Sequence, residues 1–257
     1  MDLWSAFTGV LIDDPVFYAV AVPAVLLVGL SKSGFLSGFG SLATPLMAMT
    51  VPVPQAAAIM LPLLVVMDLL NIRELFGQRD RALVRLLIPA GLVGVGLGAL
   101  LFGVFSNKAV AGVVGALTLL FLLQRLLMKP RPDGAPPSRG LGRVLGAASG
   151  FTSFVAHAGG PPISAYVLPL RLAPVVASAT MATFFAAINL AKWVPYAWLG
   201  LVDARNMATA LVLLPVAPMG IWIGVWLLKR VRTDFFYKLA YAGMAAAGLQ
   251  LLWEGLR

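Results

Sequence analysis

The sequence predicts an all-α polytopic membrane protein. It reads as two repeats of four to five helical segments, inverted relative to one another, with broken helices where the repeats meet. Three observations lead there. Of 257 residues, 60% are hydrophobic and only 11% charged, with a mean hydropathy of +0.94, whereas soluble domains carry about 25% charged residues. Apolar runs of roughly 20 residues succeed one another, each long enough to cross a ~30 Å hydrocarbon core. And one stretch, GFTSFVAHAGGPP from Gly150 to Pro162, has an echo: Ser33, Gly34, Phe35, Ser37 and Pro45 match Ser149, Gly150, Phe151, Ser153 and Pro161 at identical spacing.

Composition excludes several classes. The longest polar stretch, 129–143, is too short to bury a core. Nothing alternates with the period of a membrane barrel strand. With no cysteine, disulfides, thiolate metal sites and cysteine catalysis are ruled out. The net charge of +9 sits in short loops between apolar runs, where the positive-inside rule expects it, so no nucleic-acid partner is implied. Sequence signatures of enzymes are also missing: HExxH, a P-loop, GxSxG and paired intramembrane aspartates do not occur. The acidic start lacks a signal peptide's basic n-region, so the first apolar segment is expected to be retained.

The elements follow in order. Residues 1–14 are expected at the interface, with Trp4 and Phe7 as anchors. The first repeat, 1–128, holds apolar segments at 15–30, 45–49, 55–70, 82–103 and up to 128. A Pro-, Gly- and Arg-rich linker, 129–140, cannot continue a helix and is expected in the cytoplasm. The second repeat, 141–257, repeats the order at 141–156, 161–170, 174–190, 207–228 and 235–253, with an aromatic loop at 193–198. Eight to ten segments result, depending on whether the short pieces cross or re-enter. Asn71 corresponds to Asn189, Asp80 to Asp203, and Gly94 and Gly98 to Gly220 and Gly224. Small residues at such spacing let helices approach closely in lipid. Inverted repeats place fourteen of the Lys and Arg residues on the cytoplasmic side and four outside, Lys192 among the four; parallel repeats give twelve and six. Lys32 is left out of both counts.

Thr44-Pro45 and Gly160-Pro161 read as N-cap followed by proline at the first helical position. Each short piece would then be a half-helix beginning inside the membrane. Its free N–H groups and positive dipole end would point into a protein-lined cavity. Broken helices at corresponding places in two halves point to a transporter site, and two positive helix ends favour an anion. The plainer alternative is that these prolines only kink ordinary spans.

The candidate substrate-binding residues gather at the two breaks: Lys32, Ser33, Ser37, Gly40, Ser41 and Thr44 in the first, Ser153, His157, Gly159 and Gly160 in the second, with the amides Asn71 and Asn189. Lys32 is costly in a bilayer unless it pairs or snorkels, so it is either an anion's partner or a residue reaching for the surface. His157, the single histidine, either holds structure, donates to an anion or takes part in proton coupling. Asp68, inside an apolar segment, either neutralises Lys32, carries a coupling proton or lies at the interface near Arg73. Lys192 reads as interfacial.

These stretches resemble the TauE/SafE sulfite and organosulfonate exporters over about 20–252. The resemblance rests on GFLSGFGSLATP with AAAIMLPLL, and on GFTSFVAHAGGPP with ASATMATFF. The first half departs from the family's glycine run, GxGGG, in having Gly38-Phe39-Gly40-Ser41-Leu42-Ala43-Thr44, which bears on substrate preference. The resemblance implies secondary transport, outward, of a small sulfur-containing anion across the bacterial inner membrane. An anion channel and an uptake carrier for another small organic anion are the alternatives. No cofactor or metal is expected, although coupling to H+ or Na+ stays open. The expected partners are the small anion and the lipid bilayer, and a homodimer is compatible with the sequence.

Overall fold

The computed structural model describes residues 9–34, 39–75, 77–102, 104, 106–127 and 137–256. Among them there are eleven α-helices and no strand. In the first half these are α1 (Pro15–Lys32), α2 (Ala43–Met47), α3 (Val53–Glu74), α4 (Arg81–Leu100) and α5 (Asn107–Leu127). In the second they are α6 (Arg139–Ala156), α7 (Gly160–Val167), α8 (Pro174–Trp198), α9 (Ala204–Leu213), α10 (Val216–Leu228) and α11 (Thr233–Leu256). Short 3-10 turns, Phe39–Leu42 and Leu168–Leu170, precede α2 and follow α7.

Local chemistry fixes where the long helices begin. Side chains of Asp14, Asp80, Ser138 and Asp203 accept hydrogen bonds from the first-turn N–H groups of α1, α4, α6 and α9. Each such cap is worth about 1 kcal/mol. The matched pair Asp80 and Asp203 thus does the same job in each half.

Four helices, α1, α3, α4 and α8, are long and apolar enough to cross a membrane, and α9 with α10 makes a fifth, bent by 47°. Proline 215 lies at that bend, as sharp kinks require; the sequence reading had one straight segment there. Helices α5, α6 and α11 reach about 27–36 Å at 1.5 Å per residue. The protein is a multi-pass membrane protein. Its outer faces carry exposed Leu97, Leu100, Leu120, Leu190, Trp222 and Trp226. The polar side chains turn inward. Leu69 is 62% exposed while its neighbour Asp68 is 1% exposed, the reverse of a soluble helix and the arrangement lipid demands.

Glycines set how the long helices meet. Gly91 lies against Gly150 and Gly98 against Phe154, so α4 and α6 run side by side in the same direction. Gly29 meets Gly220, and Ser33 meets Gly224, so α1 and α10 also run parallel. A Cβ on Gly29 would lie 2.7 Å from the Gly220 Cα, so only glycine permits that approach. Gly112 meets Gly255, Gly115 meets Leu252, and Leu119 meets Gly248, so α5 and α11 run antiparallel. Helix α3 packs on α8 across the middle.

Three expectations are corrected. The short helices do not start at proline: α2 starts at Ala43 after Leu42, and α7 at Gly160 after Gly159, with no side-chain cap in either. Pro45 and Pro161 fall inside the first turn instead, where a missing N–H still costs nothing. The expected aromatic loop 193–198 is the end of the 25-residue α8, which contains Pro195. That continuation moves Lys192 from a helix end into a helix interior.

Candidate functional site

The site lies where the ends of α1 and α6 meet the middles of α3 and α8. Helix α1 stops because Gly34 adopts φ +96°, a conformation glycine takes without penalty. A Cβ there would also overlap the Ser178 hydroxyl. The chain is drawn back by a hydrogen bond from Gly40 N–H to Ser31 Oγ, 2.9 Å. Asn71 Nδ2 donates to the Lys32 carbonyl at 2.5 Å, satisfying one of the orphan acceptors a helix end leaves.

Helix α6 stops differently. His157 takes the left-handed conformation, φ 53° and ψ 22°, and its N–H bonds back to Ser153 O at 3.1 Å, an αL cap. The two carbonyls freed beyond it are met by hydroxyls. Thr152 Oγ1 lies 3.1 Å from Ala158 O and 2.9 Å from Ala148 O, its one proton shared between them, and Ser149 Oγ donates to Gly159 O, 2.6 Å. Thr152 and Ser149 are 3% and 0% exposed, so these bonds replace water that the bilayer interior cannot supply.

Between the breaks lies a cavity of about 80 Å³. Counted by where water centres fit, a water needs roughly 10–15 Å³, so this one takes several waters or one compact oxyanion. Lys32, Asp68, Asn189, Ser153 and His157 all line it. Lys32 Nζ is paired with Asp68 Oδ1 and sits 5.3 Å from the centre of the Phe185 ring. Asp68 Oδ2 accepts from Asn189 Nδ2 at 2.7 Å. Asn189 Oδ1 accepts from Lys192 Nζ at 3.0 Å. Lys192 Nζ also donates to Ser153 Oγ, 2.7 Å, and lies 3.0 Å from His157 Nδ1. His157 Nε2 lies 2.9 Å from the Ala57 carbonyl. Because a carbonyl only accepts and an ammonium only donates, Nε2 carries the imidazole proton and Nδ1 accepts. One network therefore runs from the first break, through α3 and α8, to the second.

Basic side chains outnumber acidic ones here. Two lysines, Lys32 and Lys192, share the network with one aspartate, Asp68. Burying an ammonium without a counter-charge is expensive, and an anion would relieve it.

The structure places most of the predicted residues together. Lys32, Gly40, Thr44, Asp68, Ser153, His157, Gly160 and Asn189 line the cavity. Lys32 is paired rather than snorkelling, and Asp68 is buried rather than interfacial. Asn71 is buried and holds the end of α1. Gly159 is buried within the second break, and Gly160 faces open space. Ser33 is buried, donating to Leu30 O at 2.6 Å and packing on Gly224. Ser41 has its backbone in the 3-10 turn, with its side chain outside the described residues; Ser37 lies wholly outside them. His157 has both ring nitrogens engaged, unlike the free donor that was one expectation.

Sequence reasoning missed Lys192 and Ser178. Lys192, read as interfacial, is 0% exposed. Its signal was present: Ile188, Asn189, Lys192 and Tyr196 share one buried stripe of α8, at the spacing of a single helix face. Taking 193–198 as a loop hid it. Ser178 carries no pattern that singles it out.

The described residues thus hold four candidate spans, or five with the bent pair, two helix breaks and a buried polar cavity, an arrangement found in membrane transporters. No curated protein and no solved structure matches it at the stringency applied. The profile of one family, Sulfite exporter TauE/SafE, matches residues 21–251. The match covers both breaks and every cavity residue named above, and the chain belongs to the TauE/SafE sulfite exporter family of membrane transporters.

Proposed function

We propose that this protein is a secondary transporter, an exporter of a compact sulfur-containing anion such as sulfite or a small organosulfonate, working by alternating access at the bacterial inner membrane. The observation that carries the reading is a cavity bordered by a network of two lysines and one aspartate. Lys32 and Lys192 outnumber Asp68, and the substrate supplies a negative charge. Family membership adds the sulfur chemistry.

The residues divide the work. Lys32 spends one N–H on Asp68 and keeps two for the substrate. When the anion arrives, Asp68 gives up part of its hold on Lys32 and stays anchored to Asn189. That exchange couples binding to the contact between α1 and α3. Gly160 leaves its backbone open to the cavity. Asp68 and His157 are the groups through which coupling to H+ or Na+ would act.

We also propose that the halves are inverted repeats about the linker at 129–140. Support comes from the pairings: α4 with α6 and α1 with α10 are the same pairing with the halves exchanged, and the equivalent helices α5 and α11 run antiparallel. Rocking one half on the other would open the cavity to alternate sides.

Counterflow in proteoliposomes tests the reading. Vesicles preloaded with sulfite or methanesulfonate should accumulate the labelled anion, and Lys32→Ala should abolish this while the protein stays monodisperse. Flux that no ion gradient or preloaded substrate can drive uphill would make the protein a channel, and unimpaired counterflow by Lys32→Ala would remove the site assignment.

A further inference from the structure

Proton accounting around the cavity identifies its neutral donors. Lys192 Nζ has three neighbours, Ser153 Oγ, His157 Nδ1 and Asn189 Oδ1, and as an ammonium it spends its three N–H groups on them. Its donors are all spent, it is fully buried, and it has none left for a substrate. What it does is orient. By filling a lone pair of Ser153 Oγ, it leaves the Ser153 hydroxyl proton to point elsewhere, and Ser153 lines the cavity. The first break repeats the device. Gly40 N–H donates to Ser31 Oγ, which also lines the cavity, so the Ser31 proton is likewise turned away from its own backbone partner. A third hydroxyl, that of Ser178, lines the same cavity, is 1% exposed and has no hydrogen-bond partner. It abuts Gly34, where no side chain is present to accept from it. A buried donor left unpaired is costly, so it is placed for an acceptor that arrives from outside.

We infer that Ser31, Ser153 and Ser178 form a cradle of three hydroxyl donors, one from each of α1, α6 and α8, that recognises the three oxygens of an –SO3 group while Lys32 balances its single negative charge. Lys192 and Gly40 are the groups that aim two of the three hydroxyls. The cradle matches a sulfonate monoanion or hydrogen sulfite in both oxygen number and charge. A dianion such as sulfate would overshoot the single charge that Lys32 balances, and a carboxylate would leave one hydroxyl unpaired. This deepens the sulfur-oxyanion reading and rests on it.

The test pairs the loss of a hydroxyl with the loss of a substrate oxygen. Methanesulfonate and methanesulfinate carry the same charge but three and two oxygens. Uptake of both into proteoliposomes would be measured for the wild type and for Ser31→Ala, Ser153→Ala and Ser178→Ala. The wild type should prefer the sulfonate. Each variant should raise KM for the sulfonate about tenfold, the scale of one hydrogen bond to a charged group, with a much smaller effect on kcat. Each should also shrink the sulfonate-to-sulfinate preference, because the third oxygen has lost its donor. A merely structural serine would change folding or kcat and leave that ratio alone. Should the wild type transport sulfonate while all three variants keep its KM and its preference ratio, the cradle is overturned and the broader reading stands. Should the wild type carry neither sulfur oxyanion, the transport reading itself falls, and the cradle with it.

Discussion

Asp68 is the residue on which the site's electrostatics turn. It is buried, shares one oxygen with Lys32 and the other with Asn189, and belongs to neither break. Removing one partner of such a pair leaves an uncompensated charge, which costs about 3–5 kcal/mol, whereas replacing both with apolar groups is often neutral or stabilising. Lys32→Met and Asp68→Leu should therefore each lower thermal stability in detergent by more than the double variant does. A double variant as unstable as the sum of the singles would show that the pair does not hold the fold as described. The sequence made the pair itself legible, since two ionisable residues deep in apolar runs are rare enough to demand partners. Lys192 was not legible in the same way. Its meaning depended on whether 193–198 continued a helix, and a proline within that run argued against it. In a membrane, neighbouring helices make up for the proline's lost hydrogen bond, which is why α8 runs on to Trp198.

At the scale of elements, the two breaks are solved by different chemistry. Helix α1 ends on a glycine with positive φ, and α6 on a histidine held left-handed, whose freed carbonyls are met by Thr152 and Ser149. The Gly and Pro punctuation told where each break falls. It did not tell which residue caps, because Pro45 and Pro161 are tolerated anywhere in the first turn. The bend between α9 and α10 was also hidden, since Pro215 and Pro218 both lie in the apolar run 207–228, while Pro62 and Pro89 sit inside helices that continue. The direction of the helices is the element-scale property that carries the repeat proposal. Helices α5 and α11 meet head to tail along Gly112, Gly115, Gly248 and Gly255. The chain has no cysteine, so single cysteines placed at Lys108, before α5's first turn ends, and at Arg232, just before α11, report sides cleanly. An impermeant maleimide should label them from opposite faces of the membrane. Labelling of both from one face would refute the inverted arrangement.

For the whole molecule, the essential feature is that one cavity draws on both halves. Lys32 and Ser31 come from the first helix, Asp68 from the third, Ser153 and His157 from the sixth, and Asn189 from the eighth. The exterior is apolar enough for lipid, the long helices close on glycine, and Lys32, Asp68, Asn189 and Ser153 collect where α1 and α6 are interrupted. Composition and the repeated stretch carried this architecture, because a bilayer leaves few ways to place a lysine, an aspartate and two helix breaks. Of the cavity hydroxyls, Ser153 was legible at the second break, whereas Ser178 was beyond pattern reading, since serines in membrane helices more often bond their own backbone. The central claim is that this cavity holds the anion, and selenite, the heavier pyramidal analogue of sulfite, can report it directly. Anomalous scattering from crystals of the protein soaked in selenite should place one selenium peak in the cavity beside Lys32, Ser153 and Ser178, and competing methanesulfonate should remove it. A selenium peak bound elsewhere, with this cavity empty, would contradict the account.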